Sequence, residues 1–319
     1  MKLRLTTNAV FFAATLVLLT GCASIAPPPP GTGIAFAALG DVPYSQREVR
    51  ALDELIDELN SEELAFVVHV GDITSGLGPC TDEWFLARKK QFERIRHPFI
   101  LIPGDNDWTD CHRSKMDPLE RLDRFRELFE AGDESLGQRK LKLERQSANP
   151  RFSAYREHMR WVVGNVLFVT LNVQGSNNNF GRNPQMDEEY RQRMTAVHDW
   201  MEDAVALTEQ KQFSSLVILI QANPDFEQRS TRPAATNGFV EFRNTLRTLS
   251  QRLKQPVMLI HGDTHNYQQN RPIKDEKTGQ PVPNFVRVEV DGSPWVRWLR
   301  GMIFTSGSIP VYIAPAPVR

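Results

Sequence analysis

Four short apolar runs along the chain each stop at a glycine followed by a carboxylate. Ile34 to Leu39 ends at Gly40-Asp41, and Leu64 to Val70 ends at Gly71-Asp72. Phe99 to Ile102 ends at Pro103-Gly104-Asp105-Asn106-Asp107, and Val257 to Ile260 ends at His261-Gly262-Asp263-Thr264-His265. Runs of this length and β-branched content predict buried parallel strands. Between the first three, apolar positions recur at helical spacing. Val49, Leu52, Leu55, Ile56 and Leu59 predict a helix that begins near Gln46, and residues 82 to 96 predict a second. Asp117-Pro118 opens a third, with Leu119, Leu122, Phe125, Leu128 and Phe129 on one face. The polar clusters then lie at the carboxyl ends of strands, the edge at which open α/β sheets hold ligands.

The second half repeats the alternation with one change. Trp161-Val162-Val163 and Val166 to Leu171 flank Gly164-Asn165 and read as a hairpin. Antiparallel pairing after a parallel start predicts a second sheet. Helices are expected over 186–207 and 239–253, and strands over 216–220, 285–290 and within 295–305. The polar stretch 131–150 reads as an exposed insertion, and 174–184 as a Gly/Asn-rich loop that touches substrate or only water. The expected fold class is α/β, with two mixed β-sheets in one domain spanning 33–319 and no internal repeat.

The first residues belong to another layer of organisation. Lys2 and Arg4 precede an apolar stretch from Ala9 to Leu19, which is short for a bilayer span. Leu19-Thr20-Gly21-Cys22 resembles the lipobox of bacterial lipoproteins, which implies a signal peptide over 1–21 and lipidation of Cys22. Residues 22–32 would be the lipidated cysteine and a stiff spacer through Pro27 to Pro30. Ala23, a non-acidic residue after the cysteine, implies an outer-membrane lipoprotein whose domain faces the periplasm, with the lipid bilayer as partner. Setting aside the two N-terminal bases takes the formal net charge from −1 to −3, which argues against a nucleic-acid footprint. In an oxidising compartment the two remaining cysteines, Cys80 and Cys111, can pair. Each follows a strand end, so a Cys80–Cys111 disulfide is expected to tie those loops together; two buried free thiols are the alternative.

Carboxylates, amides and imidazoles held at fixed distances bind hard divalent cations. Asp41, Asp72, Asn106 and His265 stand at four such strand ends. In this order the blocks resemble those of the calcineurin-like metallophosphoesterases, over nearly all of residues 33 to 305. Asp41 matches the first block, and Asp72 matches the Asp that bridges two metals. Gly104-Asp105-Asn106-Asp107 resembles the Gly-Asn-His-acid block, with Asn106 as the metal-binding amide. Gln221-Ala222-Asn223-Pro224 sits where the family has a His before a Pro, and Gly262-Asp263-Thr264-His265 resembles Gly-His-x-His. The resemblance implies a four-layer sandwich with helices on both outer faces.

The departures are as informative. Pro43 stands for the His of Asp-x-His, Asp107 for the His that contacts phosphate or protonates the leaving group, and Asp263 for the first His of the last block. Either Gln221 or Asn223 replaces the fourth-block His. The resulting metal set is Asp41, Asp72, Asn106, Asp263 and His265, with Asp107 and Asn106 as catalytic candidates. Fewer imidazoles and more carboxylates favour Mn, Mg, Fe or Ca over Zn, as one or two cations. Tyr44 is expected to contact phosphate or to be structural, Arg113 to hold a phosphate or be solvated, and Trp108 to wall the site. His69 and His261 read as core histidines. The implied function is metal-dependent hydrolysis of a small phosphorylated substrate, a phosphomonoester or phosphodiester; the alternative is a catalytically silent binding protein with the same fold.

Overall fold

The computed structural model describes residues 33–317; the signal segment, Cys22 and the spacer lie outside the described residues. The first strand, β1 (Ile34–Leu39), leads to helix α1 (Gln46–Ser61), whose start is fixed by Ser45 Oγ accepting the Glu48 N–H at 3.3 Å. Strand β2 (Val67–His69), helix α2 (Asp82–Phe92) and strand β3 (Phe99–Leu101) follow. Helix α3 (Pro118–Phe129) begins as its sequence predicts, with Asp117 accepting the Leu119 N–H and proline in the first turn, where its missing donor costs nothing.

Strands β4 (Glu144–Arg145), β5 (Met159–Val163), β6 (Val166–Thr170), β7 (Ser215–Leu219), β8 (Val257–His261), β9 (Gln268–Asn270) and β10 (Phe285–Glu289) build the second sheet, in the order β4-β5-β6-β7-β8-β10-β9. Helices α4 (Pro184–Lys211) and α5 (Val240–Arg252) connect its parallel strands. The last strands, β11 (Leu299–Ile303) and β12 (Val311–Pro315), return to the first sheet, ordered β12-β11-β1-β2-β3. β1, β2 and β3 are parallel, and β11 joins β1 antiparallel. Both sheets are therefore mixed.

The core has three layers of apolar contact. Phe36, Phe66, Val68, Trp161, Phe168 and Val217 fill the space between the sheets, with Phe36 and Phe66 stacked at 5.0 Å between centroids. Leu52, Ile56, Phe85, Phe92 and Phe125 pack α1, α2 and α3 on the outer face of the first sheet. Met194, Val197, Met201, Phe242 and Leu246 pack α4 and α5 on the outer face of the second. This is the expected α/β sandwich with helices outside, and it brings the carboxyl ends of β1, β2, β3, β6, β7 and β8 to one edge.

The 131–150 stretch is mostly exposed, as expected, but it is anchored to the body of the protein at a few points. Leu136 pairs with Phe99 at the edge of β3, Leu143 is buried, and Arg145 is buried against Glu130 at 2.5 Å. Its remaining charged residues, among them Glu134 and Lys142, are exposed. Helix α2 ends at Phe92 rather than near 96; β9 was not foreseen because it is polar throughout, and β12, although apolar, was not foreseen either.

Candidate functional site

The site is built where strand ends cross at very short range. A side chain on Gly104 would fall on Asp72 Oδ1, and one on Gly262 would fall on Asp41 Oδ2, so only glycine lets these turns pass the carboxylates. Four of the expected ligands themselves have left-handed backbone: Asp41 (φ 54°), Asp72 (φ 60°), Asp263 (φ 82°) and His265 (φ 59°). Each such residue costs on the order of 1 kcal/mol, and strain of this kind gathers at functional sites.

Tyr44 is the hub. Its hydroxyl donates to Asp72 Oδ2 at 3.0 Å, accepts from Asn106 Nδ2 at 2.9 Å and lies 3.3 Å from His265 Nε2. His265 Nε2 is in turn 3.7 Å from Asp41 Oδ1, and its Nδ1 is 2.9 Å from the Ser293 carbonyl. Asp41 accepts the Asp263 N–H at 3.0 and 3.1 Å. Asp41, Asp72, Asn106, Asp263 and His265 thus meet in one neighbourhood. Of the two amides offered by the sequence, Gln221 faces inward: it is fully buried, and its Nε2 donates to Asp72 Oδ2 at 3.1 Å and Asp41 Oδ1 at 3.4 Å. Asn223 turns outward to Thr264 Oγ1 at 3.2 Å and gives the cluster only its backbone, donating to Asp263 Oδ2 at 2.9 Å.

Asp107 differs from its expected place. It is fully buried, and its carboxylate accepts the backbone N–H groups of Asp72 (2.9 Å), Ile73 (2.8 Å) and Gly104 (2.8 Å). Both oxygens are committed to holding the two turns together, which leaves none to meet a substrate. Arg113 lies at the rim, with Nη1 2.8 Å from Asp110 Oδ2 and 3.2 Å from the Gly76 carbonyl. Cys80 and Cys111 form the expected disulfide, and both sulfurs lie 3.5 Å from the Asn106 carbonyl oxygen. Trp108 is fully buried in the wall; His69, bonded at 2.9 Å to the Val42 carbonyl, and His261 are core residues, each with its pKa driven down by burial.

The loop after β6 is the expected Gly/Asn-rich one, but its conformation and the place of Ser176 were not foreseen. Ser176, Asn177, Asn178 and Asn179 are four consecutive left-handed residues, with φ between 49° and 65°. The fully buried Arg193 of α4 clamps them, donating to Asn178 Oδ1 at 2.6 Å, to the Asn178 carbonyl at 3.0 Å and to the Asn172 carbonyl at 2.8 Å. This delivers Ser176 Oγ to within 2.9 Å of Asp105 Oδ2 and 2.8 Å of Asp110 Oδ1. The signal was available in part: Asn is the residue that best tolerates left-handed backbone after glycine.

Electrostatically the cluster is one-sided. Burial raises the pKa of Asp41, Asp72 and Asp263 well above the carboxylate range, with neighbouring carboxylates adding to the shift. Burial also raises Asp105 and Asp107 to about 7. Tyr44, raised by burial and then by Asp72, is a neutral phenol at neutral pH, and His265, lowered by burial, is a neutral imidazole. Among the described residues no Lys or Arg forms an ion pair with Asp41, Asp72 or Asp263, and only His265 stands near, 3.7 Å from Asp41 Oδ1. Asp105 Oδ1 is buried with no hydrogen-bond partner. It shares with Asp263 Oδ1 the space that a Gly175 side chain would fill, 2.6 and 2.7 Å from that point. Oxygen donors without a counter-charge, plus one neutral imidazole, fit a hard divalent cation. They are not drawn into a closed shell: among the described residues no three His, Cys, Asp or Glu side chains are grouped tightly enough to hold a metal ion. The Tyr44 hydroxyl and the Gln221 amide stand between them.

No protein-family model matches the sequence, and no curated protein matches it. Among solved structures, the chain is similar to a dimetal phosphatase from Danio rerio, with a TM-score of 0.56 and 11% identity over 88% of this chain and 98% of that one. It also matches PhoD (TM-score 0.48, 12% identity, 84% of this chain and 58% of that one). A purple acid phosphatase from yellow lupin seeds gives a TM-score of 0.47 at 13% identity, over 86% and 50% of the two chains. The class is set by the first of these: the chain has the metallophosphoesterase sandwich fold. At this identity the likeness establishes the fold and leaves the chemistry to the residues.

Proposed function

We propose that this protein is a metal-dependent phosphoesterase, lipid-anchored and exported, that hydrolyses a small phosphomonoester or phosphodiester. One observation carries the reading: buried carboxylates from separate strand ends, Asp41, Asp72 and Asp263, converge with Asn106 and His265 with no Lys or Arg ion pair among the described residues. These five residues would hold one or two divalent cations, Mn, Mg, Fe or Ca rather than Zn, with Asp72 in the central position. When bound, such a cation lowers the pKa of a water and offsets negative charge on the phosphoryl oxygens. Asp107 braces the turns after β2 and β3 so that Asp72 and Asn106 stay fixed. Tyr44, kept protonated by burial and its acidic neighbours, holds a proton at its hydroxyl that can be donated to a phosphate oxygen.

The test is turnover of 4-nitrophenyl phosphate and bis(4-nitrophenyl) phosphate by the purified protein with Mn²⁺ or Mg²⁺, against chelator and in Asp72→Ala. The expected result is cation-dependent turnover that drops by roughly 10²-fold or more in Asp72→Ala. Turnover that persists in chelator or in the variant overturns the proposal. A second reading, a binding protein that keeps the fold without turnover, is favoured by one contact. Gln221 Oε1 accepts the Gly175 N–H at 2.7 Å, which locks the amide with its N–H groups toward Asp41 and Asp72. It predicts phosphate-ester binding with no product. Export by the lipoprotein route rests on the lipobox-like Leu19-Thr20-Gly21-Cys22 and predicts labelled-palmitate incorporation that Cys22→Ser abolishes.

A further inference from the structure

A cavity of about 520 Å³ opens beside the carboxylate cluster, between the loop after β3 and the left-handed loop after β6. Ser176 belongs to both: it lines the cavity and bonds Asp105 and Asp110. At the other side, Arg113 Nη1 and Asn106 Oδ1 each lie 2.9 Å from the point where a Gly76 side chain would sit, so the cavity's guanidinium and the cluster's amide are neighbours. The walls carry three guanidiniums, Arg113, Arg182 and Arg232, against two carboxylates. Both carboxylates are already engaged. Asp110 is buried and faces Arg113 at 2.8 Å and Arg182 at 3.7 Å. Asp225 accepts the Arg229 N–H at 2.7 Å and stands 3.8 Å from Arg243.

The arginines keep donors in reserve. A guanidinium has five N–H donors in a planar fork suited to phosphate. Arg113 commits only Nη1; Arg182 commits Nη1 to the Thr109 carbonyl at 2.7 Å and Asn179 Oδ1 at 3.4 Å, with Nη2 3.7 Å from Asp110; and the Arg232 guanidinium has no partner among the described residues. The buried Asp110 holds the first two in place, and both side chains line the cavity, so part of their ordering cost is already met.

We infer that this cavity is a subsite for a second phosphate, so that the substrates are phosphoesters carrying a further phosphate group on the part of the molecule that is not attacked. This rests on the phosphoesterase reading for the word substrate; the anion-binding claim itself does not need turnover. The test uses uncleavable probes: alkane-α,ω-bisphosphonates of two to six carbons, and alkyl monophosphonates of matching length, titrated calorimetrically into the full chain with Mn²⁺. At one or more lengths the bisphosphonate should bind at least about tenfold tighter, the scale of one added charge-assisted contact. That ratio should fall to near one in Arg182→Gln. It should fall by roughly threefold or more in Arg232→Gln, a surface change at a side chain without partners that leaves folding intact. A ratio near one at every length in the native protein, or an unchanged ratio in both variants, overturns the inference. Turnover of 4-nitrophenyl phosphate is measured alongside. Turnover without a bisphosphonate advantage removes this subsite and leaves the enzyme, whereas an arginine-dependent advantage without turnover supports the subsite and removes the enzyme.

Discussion

Tyr44→Phe deletes one oxygen atom at the point where the site converges. The Tyr44 hydroxyl donates to Asp72 Oδ2 at 3.0 Å and accepts from Asn106 Nδ2 at 2.9 Å. Its pKa is raised by burial and the nearby carboxylates, so at neutral pH the proton is present and the donation is real. A hydrogen bond to a charged or largely buried carboxyl contributes about 1.5–3 kcal/mol, and leaving the Asn106 amide short of a partner costs about 1 kcal/mol more. The ring itself stays, so no cavity term is added beyond the missing oxygen. The expected loss is therefore about 2.5–4 kcal/mol in urea denaturation of the cation-free protein, with m unchanged. Cation changes the sign of the reasoning at one step only. If the hydroxyl stands beside the bound ion, Mn²⁺ affinity also falls, by about tenfold, one such contact's worth. Denaturation and calorimetry on the same preparation separate the two. A stability change under 0.5 kcal/mol together with unaltered Mn²⁺ affinity would refute the placement of Tyr44 at the centre.

The buried carboxyls should contribute a loss of stability to the chelated protein as pH rises. Asp105 and Asp107 titrate at about 7 when folded against an ordinary 3.8, and Asp41, Asp72 and Asp263 shift the same way. Between about pH 4 and 7 these carboxyls bind more protons folded than unfolded, whereas His69, His158 and His261, lowered by burial to about 4, 4 and 3, pull the other way. The carboxyl share is therefore read as a difference: from about pH 4 to 7 the melting temperature of Asp105→Asn should fall less, or rise more, than that of the native protein. Added Mn²⁺ should stabilise the native protein at about pH 7.5, and parallel profiles count against the buried-carboxylate account. Replacing Cys80 and Cys111 by Ser opens a loop with a sequence separation of 31, which predicts a loss of about 3–4 kcal/mol in denaturant, together with weaker cation binding through Asn106. Retained stability in that double variant would mean the loops need no tie. Gly175→Ala puts a methyl 2.6 and 2.7 Å from the Asp105 and Asp263 oxygens and should cost about 1–3 kcal/mol, read by the shift in urea midpoint. A neutral result there would show that no cradle exists.

The strand ends were legible because apolar runs broken by glycine and a carboxylate have few other uses, and Asp41, Asp72, Asn106 and His265 do meet. Which way a side chain points within a turn was not legible. Asp107 lies one residue past Asn106, yet it is drawn under the chain by three backbone N–H groups that only the folded crossing of β2 and β3 brings together. Gln221 and Asn223 could not be told apart for the same reason: the choice is made by the Gly175 N–H, 46 residues away from Gln221. The left-handed run at Ser176–Asn179 depends on Arg193 and Arg182, residues of α4 and the loop before it whose sequence setting gives no hint of a site. The stretch 131–150 is mostly exposed, as its polarity suggests, but the burial of Arg145 against Glu130 is a contact that composition does not show.

The central claim is that Asp41, Asp72, Asn106, Asp263 and His265 form one cation site. Calorimetric titration of Mn²⁺ into metal-stripped protein, native and Asp72→Asn, tests it most directly. The account predicts at least one ion per chain, with affinity reduced by about 100-fold or more in the variant, the scale expected when a buried charged partner is removed. No binding to the native protein, or equal binding to both, would contradict it.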